Sequence, residues 1–578
     1  MSSRFGPVHV VTTSRLYKGK TYRTHLLRRS YRDGGKVKNE TVGNLSHLPE
    51  HVIDLIRGSL RGESYAATQD LFEVVASKHH GHVEAVRLTM KRLGFEELLG
   101  SKRSPQRDLV VAMVAARVLE PDSKLATTRW WHTTTLAEDL GVANADEDDL
   151  YKAMDWLYKR QGAIEKKLAA RHLKEGGLAL YDLSSSYFEG VTCPLAALGH
   201  DRDGKKGHLQ VNYGLLTDAG GCPVSVSVYP GNTGDPTTFV PAVRKVREQF
   251  GITSLVLVGD RGMISHKQIA AMKDLQDLDW ITALRSKQIR KLLEGGAIQL
   301  GLFDERNLLE VSHAEFPGER LVVCRNPLMA QRRARTRESL LEATSKELEK
   351  VRSLVARGKL RGSATIGVRV GRVVNKYKVA KHVALDIRDD GFAFHLREDE
   401  IAAEAALDGL YVIRTSLSPQ RLEAGDTVRS YKLLCNVERA FRCLKTMDLK
   451  VRPIHHHLEE RVRAHIFLCM LAYYVQWHMQ EAWRELLFSD EDQQAKTQRD
   501  PVAPAKRSAR ALHKVHTHLL DDGSEAYSFR TLLRDLSTIV SNVCRPKEAS
   551  RQQARFTTTT IPNPRQRRAL DLLGAIRV

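Results

Sequence analysis

The chain has no run of 18 apolar residues, which excludes a membrane-spanning helix. It has no cysteine pairs either. Cys193, Cys222, Cys324, Cys435, Cys443, Cys469 and Cys544 are scattered, odd in number and nowhere in a C-x-x-C arrangement. That argues against both a disulfide framework and a zinc cluster, and reads as buried thiols in a reducing compartment. The opening Met1-Ser-Ser-Arg-Phe-Gly-Pro has no apolar signal region, so the expectation is a soluble protein of the cytoplasm. Acids are the scarcer charge: 69 Asp and Glu stand against 90 Lys and Arg, a formal charge of +21. A surplus of that size favours a polyanionic partner, nucleic acid before anionic membrane, and the lack of a long amphipathic cationic helix puts the membrane last. With 42% hydrophobic and 28% charged residues the composition is that of a globular protein and wholesale disorder is excluded. The 578 residues allow about four domains at roughly 150 residues each. The run His455-His456-His457 earns no metal assignment, because adjacent histidines on a helix point in different directions and rarely share an ion.

The texture changes along the chain. Between Arg15 and Lys38 nine basic residues and one acid are interleaved with Tyr17, Tyr22 and Tyr31, and Asp33-Gly34-Gly35 supplies a hairpin turn. Residues 1–75 therefore read as a basic β-ribbon, either lying along DNA phosphates or packed as a solvated hairpin on the next domain. Residues 76–175 have helical periodicity, as in the stretch from Arg107 to Leu119, and suit a helical bundle or helix-turn-helix-like DNA-binding module. The acidic cluster Asp146-Glu147-Asp148-Asp149 is explained by a helix N-terminus.

From residue 176 to 285 short β-like runs appear around Leu180, Val211, Val226 and Val256, the last entered from an amphipathic stretch between Phe239 and Phe250. Three antiparallel strands, a helix and a returning strand describe a mixed α/β sheet. Residues 286–420 read as a β-rich insertion, with β segments from Leu308 to Cys324 and from Thr365 to Arg388 around a charged helix from Arg332 to Val355. Residues 421–488 return to helix. Ser489 to Lys506 reads as a polar linker at the head of a basic tail, 489–578, assigned to DNA binding or dimerisation, with one periodic segment from Tyr527 to Val543.

Two acids interrupt this pattern. Asp182 breaks the apolar strand Leu178-Ala179-Leu180-Tyr181-Asp182-Leu183, and Asp260 ends Val256-Leu257-Val258-Gly259-Asp260. A carboxylate in or at the end of a buried strand is costly unless it is paired or binds metal. If the two strands are parallel neighbours, both carboxylates reach one crevice at the strand ends, where α/β sheets build their sites. Taken singly, each is as well explained by a turn cap or a partner such as Arg261. A third acid, Glu438, lies seven residues from both Tyr431 and Lys445 on one helical face, with Leu434 and Arg442 four residues to either side. A solvated face with i,i+4 ion pairs accounts for that pattern almost as well; the company of Asp182 and Asp260 decides for function. Three hard-oxygen donors suit Mg²⁺ or Mn²⁺ and not zinc. Two such ions about 3.5–4 Å apart drive phosphodiester displacement without a covalent nucleophile on the protein.

The order Asp182, Asp260, Glu438, together with Tyr431-x-x-Leu434-x-x-x-Glu438-x-x-x-x-x-x-Lys445, resembles the DDE transposases of bacterial insertion sequences, in the branch marked by a Tyr-Arg-Glu-Lys signature. The blocks Leu180-Tyr181-Asp182-Leu183-Ser184, Pro230-Gly231-Asn232-Thr233-Gly234-Asp235 and Val258-Gly259-Asp260-Arg261-Gly262-Met263 are similar to that group's as well. The resemblance implies an RNase H-like core interrupted by the insertion. The spacing agrees, since 178 residues separate Asp260 from Glu438 and only 78 separate Asp182 from Asp260. It implies that Asp182, Asp260 and Glu438 hold two divalent ions, that the enzyme cuts at the 3′ ends of its element and joins them to target DNA, and that it works as a homodimer pairing two terminal inverted repeats in the bacterial cytoplasm, at the nucleoid. Tyr431, Lys445, Arg442 and Arg439 would contact phosphates, with Leu434 standing where the signature has Arg. Trp280 would stack on a flipped base or belong to the core, and Arg261 and Arg285, with Lys287, Arg290 and Lys291, would face DNA or solvent. The competing readings are an RNase H-like nuclease that does not join its products and a transposase-derived DNA-binding protein without catalysis.

Overall fold

Alternating basic and β-forming residues around a Gly-Gly turn build the first of two structural units. The computed structural model describes residues 6–63, 65, 72–272, 278–299, 301, 303–492, 498–547 and 554–577. One unit comprises residues 1–77 and 541–560, the other residues 78–540 and 561–578. In the first, β1 (Val8–Tyr17), β2 (Lys20–Asp33) and β3 (Lys36–Asn44) form an antiparallel sheet in that order. Gly34 and Gly35 close its second hairpin with φ of 56° and 79°, the two positive values that match the twist of the strands they join. Helix α1 (Glu50–Leu60) packs against β1. Strand β4 (Phe72–His79) belongs to a further three-stranded sheet with Val540–Pro546 and Phe556–Thr559.

The second unit begins with helices α2 (Gly81–Arg92), α3 (Pro105–Leu119), α4 (Glu147–Tyr158) and α5 (Gln161–His172). Ser104 caps α3 by accepting the Arg107 N–H (3.2 Å), with Pro105 in the first turn where its missing N–H costs nothing. Asp146 caps α4 by accepting from Asp149 N (3.0 Å), so the acidic cluster is a helix start. Next come β5 (Leu178–Tyr187), β6 (Gln210–Asp218), β7 (Pro223–Pro230), α6 (Asp235–Arg244), β8 (Leu255–Gly259) and β9 (Leu278–Ala283). β5, β6 and β7 run antiparallel, while β8 lies parallel to β5 on its other side and β9 parallel to β8.

Residues 286–420 are not β-rich. After α7 (Ser286–Glu294), strands β10 (Leu308–Val311) and β11 (Arg320–Arg325) are followed by α8 (Pro327–Ala356) and α9 (Ser363–Tyr377), then the hairpin β12 (Val383–Ile387) and β13 (Phe392–Leu396), and finally β14 (Leu410–Thr415). The expected β segment from Thr365 to Arg388 is mostly helix. Ile366, Val368 and Val370 alternate like a strand, but Ile366, Val370 and Val374 also repeat every four residues, and that stripe is buried against Leu348, Val351 and Val355 of α8. Nor is the insertion a separate sheet. β14, β11 and β10 continue the central one, giving eight strands in the order β10-β11-β14-β9-β8-β5-β6-β7.

Beyond it lie α10 (Ala424–Lys432), α11 (Leu434–Arg442) and α12 (Glu459–Ala482). Helix α12 is apolar on every side and buried among α2, α3, α4 and β7, as all-round hydrophobicity requires. The three consecutive histidines lie in an irregular segment before α12, not on a helix, and His456 packs against Tyr151 and His465. The C-terminal residues are not a free tail. Within this unit Phe529–Ser537 and Pro564–Gly574 are helices whose Leu532, Leu536, Ala569 and Leu573 are fully buried, and Trp483 donates its indole N–H to Ala569 O (2.8 Å). The expected linker is docked as well, with Val502 O accepting from Asn326 Nδ2 (2.9 Å) and Lys432 Nζ (3.3 Å); its residues 493–497 lie outside those described. Among the described residues no helix is long and apolar enough to cross a membrane.

One buried ion pair ties the added strands to the rest of the sheet. Arg414 on β14 donates through Nε to Glu319 Oε2 (2.7 Å) and through Nη2 to Oε1, and its guanidinium lies 5.1 Å from the ring centres of both Trp280 and Phe316. Removing one member of such a pair strands the other charge in a poor solvent. Glu319→Ala is therefore expected to lower the unfolding free energy by about 3–5 kcal/mol, measured by denaturant titration, whereas the apolar double replacement Glu319→Leu/Arg414→Met recovers most of that loss.

Candidate active site

The site begins with the register of two strands. Leu180 pairs with Val258 and Tyr181 with Gly259, so the next residues, Asp182 and Asp260, stand level where β8 ends. Asp182 cannot turn away, because the residues flanking it are fixed. Tyr181 is buried across β6 beside Gly214, where a Cβ would come within 2.1 Å of the tyrosine oxygen; only glycine fits there. Asp182 Oδ1 accepts the Leu183 N–H (2.8 Å).

Glu438 arrives from α11, which packs on β5 through Val437, Ala440 and Phe441; the Phe441 ring meets Tyr213 edge-on at 5.8 Å. Asn436 holds the start of the helix by donating to Ala219 O (3.0 Å). This leaves Glu438 on the exposed side. Burial first, and then the negative charges of Asp260 and Glu438, push the Asp182 carboxyl up to about 7, against the Leu183 N–H and the Arg202 guanidinium, which favour the ionised form. The three acids thus act on one another electrostatically, although among the described residues their ligand atoms do not form a set within 4.8 Å.

The stretch expected to carry Tyr431, Glu438 and Lys445 on one face is helical in three successive segments, with Leu433 between the first two still in right-handed helical conformation (φ −63°, ψ −16°). Tyr431 belongs to α10, Glu438 to α11, and Lys445 to a widened π-turn at Cys443–Met447. A π-turn advances each residue by a smaller angle than an α-helix, so Lys445 rotates off the face that carries Glu438. Tyr431 donates its hydroxyl to Asp260 Oδ1 (3.2 Å), and burial followed by that carboxylate raises the phenol above its ordinary range. Lys445 is buried instead against Asp203, Nζ to Oδ1 at 2.9 Å, and Asp203 also pairs with Arg452. Leu434 is half-buried against the core and offers no charge.

The remaining expected contacts divide. Arg439 and Arg442 are exposed on α11. Trp280 is 4% exposed within β9, beneath Arg414, so it is a core residue in this structure and not a stacking platform. Arg285 is exposed at the start of α7, where its N–H donates to Gln288 Oε1 (3.2 Å). Arg261 lines a cavity of about 720 Å³ together with Asp260, Tyr431, Leu284 and Tyr411, and this opens beside a second of about 1080 Å³ bordered by Lys287, Arg290 and Lys291. Arg332 and Arg333 of α8 line both cavities. The sequence reading missed their role, although they stand in the basic run Arg332-Arg333-Ala334-Arg335. It missed Arg202 as well, which pairs with Asp235, keeps a buried Nη1 without a hydrogen-bond partner and lies close enough to Asp182 to act on its charge.

Two stretches of the chain match known protein families. Residues 191–475 match the model of the transposase DDE domain, and residues 10–70 that of the IS1634 family transposase N-terminal domain. The first match spans Asp260 and Glu438 and begins just after Asp182. No curated protein matches the chain. Among solved structures, a piggyBac transposase synaptic complex with hairpin DNA is similar over 79% of this chain and 76% of that one, at 10% identity and a TM-score of 0.35. The chain belongs to the DDE transposases, enzymes that cut and join DNA with the help of divalent metal. Within them it is an IS1634-type transposase of an insertion sequence.

The Asp182 shift carries a stability consequence. Its carboxyl titrates near 7 in the fold and near the ordinary 3.8 in the unfolded chain, so between those values the folded protein holds a proton that the unfolded chain has released. Without metal, stability must fall as pH rises through that window. Asp182→Asn, which keeps the acceptor for Leu183, is expected to stabilise the metal-free protein at pH 8 by on the order of 2 kcal/mol. The gain should shrink toward zero near pH 4, as read from denaturation midpoints across pH.

Proposed function

We propose that Asp182, Asp260 and Glu438 are the catalytic carboxylates, that they hold two Mg²⁺ or Mn²⁺ ions, and that β5–β9 with α6 and α11 form an RNase H-like core. The observation that carries this reading is the parallel pairing of β5 with β8, which sets Asp182 beside Asp260 at the strand ends with Glu438 acting on the same crevice. The donor set fits: three carboxylates are hard ligands, and burial with two acidic neighbours raises Asp182 despite the nearby Arg202, so that a cation between the acids would stabilise it. When bound, the ions activate a water or a 3′-hydroxyl and stabilise the leaving oxygen. The protein's own part is orientation. The Leu183 N–H fixes Asp182, and the Tyr431 hydroxyl fixes Asp260. Arg202 supplies a free N–H next to Asp182, placed for a phosphate oxygen. Arg261, Arg332 and Arg333, lining the cavities beside Asp260, neutralise the DNA backbone, while exposed Arg439 and Arg442 extend that surface along α11. The substrates on this reading are the element's terminal inverted repeats and target DNA, paired by a homodimer in the bacterial cytoplasm. The β-ribbon of the first unit and the helical module of residues 76–175 bind the repeats.

Cleavage and strand transfer on DNA carrying the element's ends, with Mg²⁺, Mn²⁺ or EDTA, test the assignment. Asp182→Asn, Asp260→Asn and Glu438→Gln are each expected to lower the rate by about 10³-fold or more, the equivalent of several kcal/mol of lost metal-ion catalysis, while end-binding affinity stays within a few-fold. Full activity in any one of the three would sink it. Salt dependence addresses the ribbon separately. Arg15, Lys18, Lys20 and Lys36 are exposed on it, and each phosphate contact removed by changing one of them to Gln should reduce the slope of log affinity against log salt by about 0.9. An unchanged slope in the quadruple variant would remove the ribbon from the DNA interface.

A further inference from the structure

A second cluster of metal-ligating side chains lies outside the catalytic crevice. His172 is the last residue of α5, Cys222 ends the turn between β6 and β7, and His478 is on α12. They are distant in sequence, yet one ligand atom from each falls within 4.8 Å of the others. Cys222 Sγ and His478 Nε2 are 3.8 Å apart, close to the ~3.5 Å that separates sulfur and nitrogen across a tetrahedral zinc with bonds of about 2.3 and 2.0–2.1 Å. A fourth polar group is at hand, since Tyr474 Oη lies 3.1 Å from His172 Nε2.

The surroundings suit a closed site. Cys222 is fully buried and His478 nearly so, with the rings of Tyr474 and Trp477 edge-on to the His478 imidazole at 4.7 and 4.9 Å. Asp218 fixes the turn by accepting the Cys222 N–H (2.9 Å), and Asp218 and Glu481 set negative charge around the thiol, opposed by Arg171 on the histidine side. Sulfur and imidazole donors select a borderline-soft ion, unlike the carboxylates of the crevice.

We propose that His172, Cys222 and His478 bind a structural Zn²⁺ ion that pins α5, the β6–β7 turn and α12 together. The same turn carries Gly221, which abuts Asn436, and Ala219, whose carbonyl Asn436 holds. The ion therefore braces the seat of the helix that bears Glu438.

Elemental analysis of the full-length protein after gel filtration is expected to find about one zinc per chain, lost in Cys222→Ser and in His478→Gln but retained in Cys469→Ser, whose thiol faces His465 beside the cations Arg117 and Lys124. Because the Cys222 and His478 variants alter a buried region, the decisive measurement is made on wild type. Zinc is replaced by Co²⁺, and a thiolate-to-cobalt charge-transfer band is sought, a signal that a carboxylate site cannot produce. Protection of Cys222 from alkylation by added Zn²⁺, read by mass spectrometry, is expected alongside it. Absence of the band in wild type, or its persistence in Cys222→Ser, overturns the proposal and leaves a hydrogen-bonded Cys-His-His cluster. Loss of DNA cleavage in Asp182→Asn with the band intact shows the two sites to be separate.

Discussion

The pairing of β5 with β8 is the constraint on which the rest of the molecule turns. It brings two carboxylates side by side in a partly desolvated crevice, an arrangement that opposes folding until something positive sits between them. Much of the neighbouring structure can be read as a response to that cost. Gly214 yields its side-chain volume so that Tyr181 stays buried and Asp182 stays aimed outward. The Leu183 amide and the Tyr431 hydroxyl each hold one oxygen, which fixes the carboxylates without neutralising them. Arg202 leans on Asp182 electrostatically while paired elsewhere, with Asp235. An acid left near neutrality in its titration is poised to exchange its proton for a cation, and a divalent ion is the cation that satisfies two or three such acids together.

The insertion serves this crevice by extending the sheet. β14 pairs with β9, and β11 and β10 follow, so the added chain inherits the twist and rigidity of the strands that carry Asp182 and Asp260. The long helix α8 starts directly after β11 and so delivers Arg332 and Arg333 to the cavities beside Asp260. Its far end builds a separate apolar core with α9 and the β12–β13 hairpin. Basic residues are thus placed by a rigid lever and not by a loop. The bidentate Arg414–Glu319 pair, capped by two aromatic rings, locks β14 at the point where the lever is attached.

The strands and the acids were legible in the sequence because both violate an expectation of their surroundings: apolar runs of strand length bounded by turns, and charges where no charge should be. The second hairpin of the ribbon was legible from Gly34-Gly35, since two consecutive residues at positive φ have few other uses; the first, turning at Lys18-Gly19, was not read. What escaped reading depended on partners remote in sequence. Ile366 and Val370 fit a strand period through Val368 and a helix period through Val374, and only the facing stripe on α8 chooses between them. The core place of Trp280 was one of the two readings its sequence allowed, but Arg414 as its neighbour could not be foreseen from either residue, because 126 residues of chain lie between β9 and β14. Arg202 sits in a polar loop that by composition is indistinguishable from solvent-facing ones.

The segment from α10 to the π-turn shows what a helical wheel alone leaves open around the third acid. Ending α10 at Lys432 lets Tyr431 reach Asp260; restarting at Leu434 lets Val437, Ala440 and Phe441 find β5 with Glu438 facing outward; widening the turn at Cys443 sends Lys445 to Asp203. The outcome near Asp203 is itself unbalanced. Arg202 pairs with Asp235, while Lys445 and Arg452 share Asp203, so the surplus positive charge sits at Asp203. The Lys445 ammonium is thus committed to Asp203, a partner that its spacing from Glu438 does not reveal.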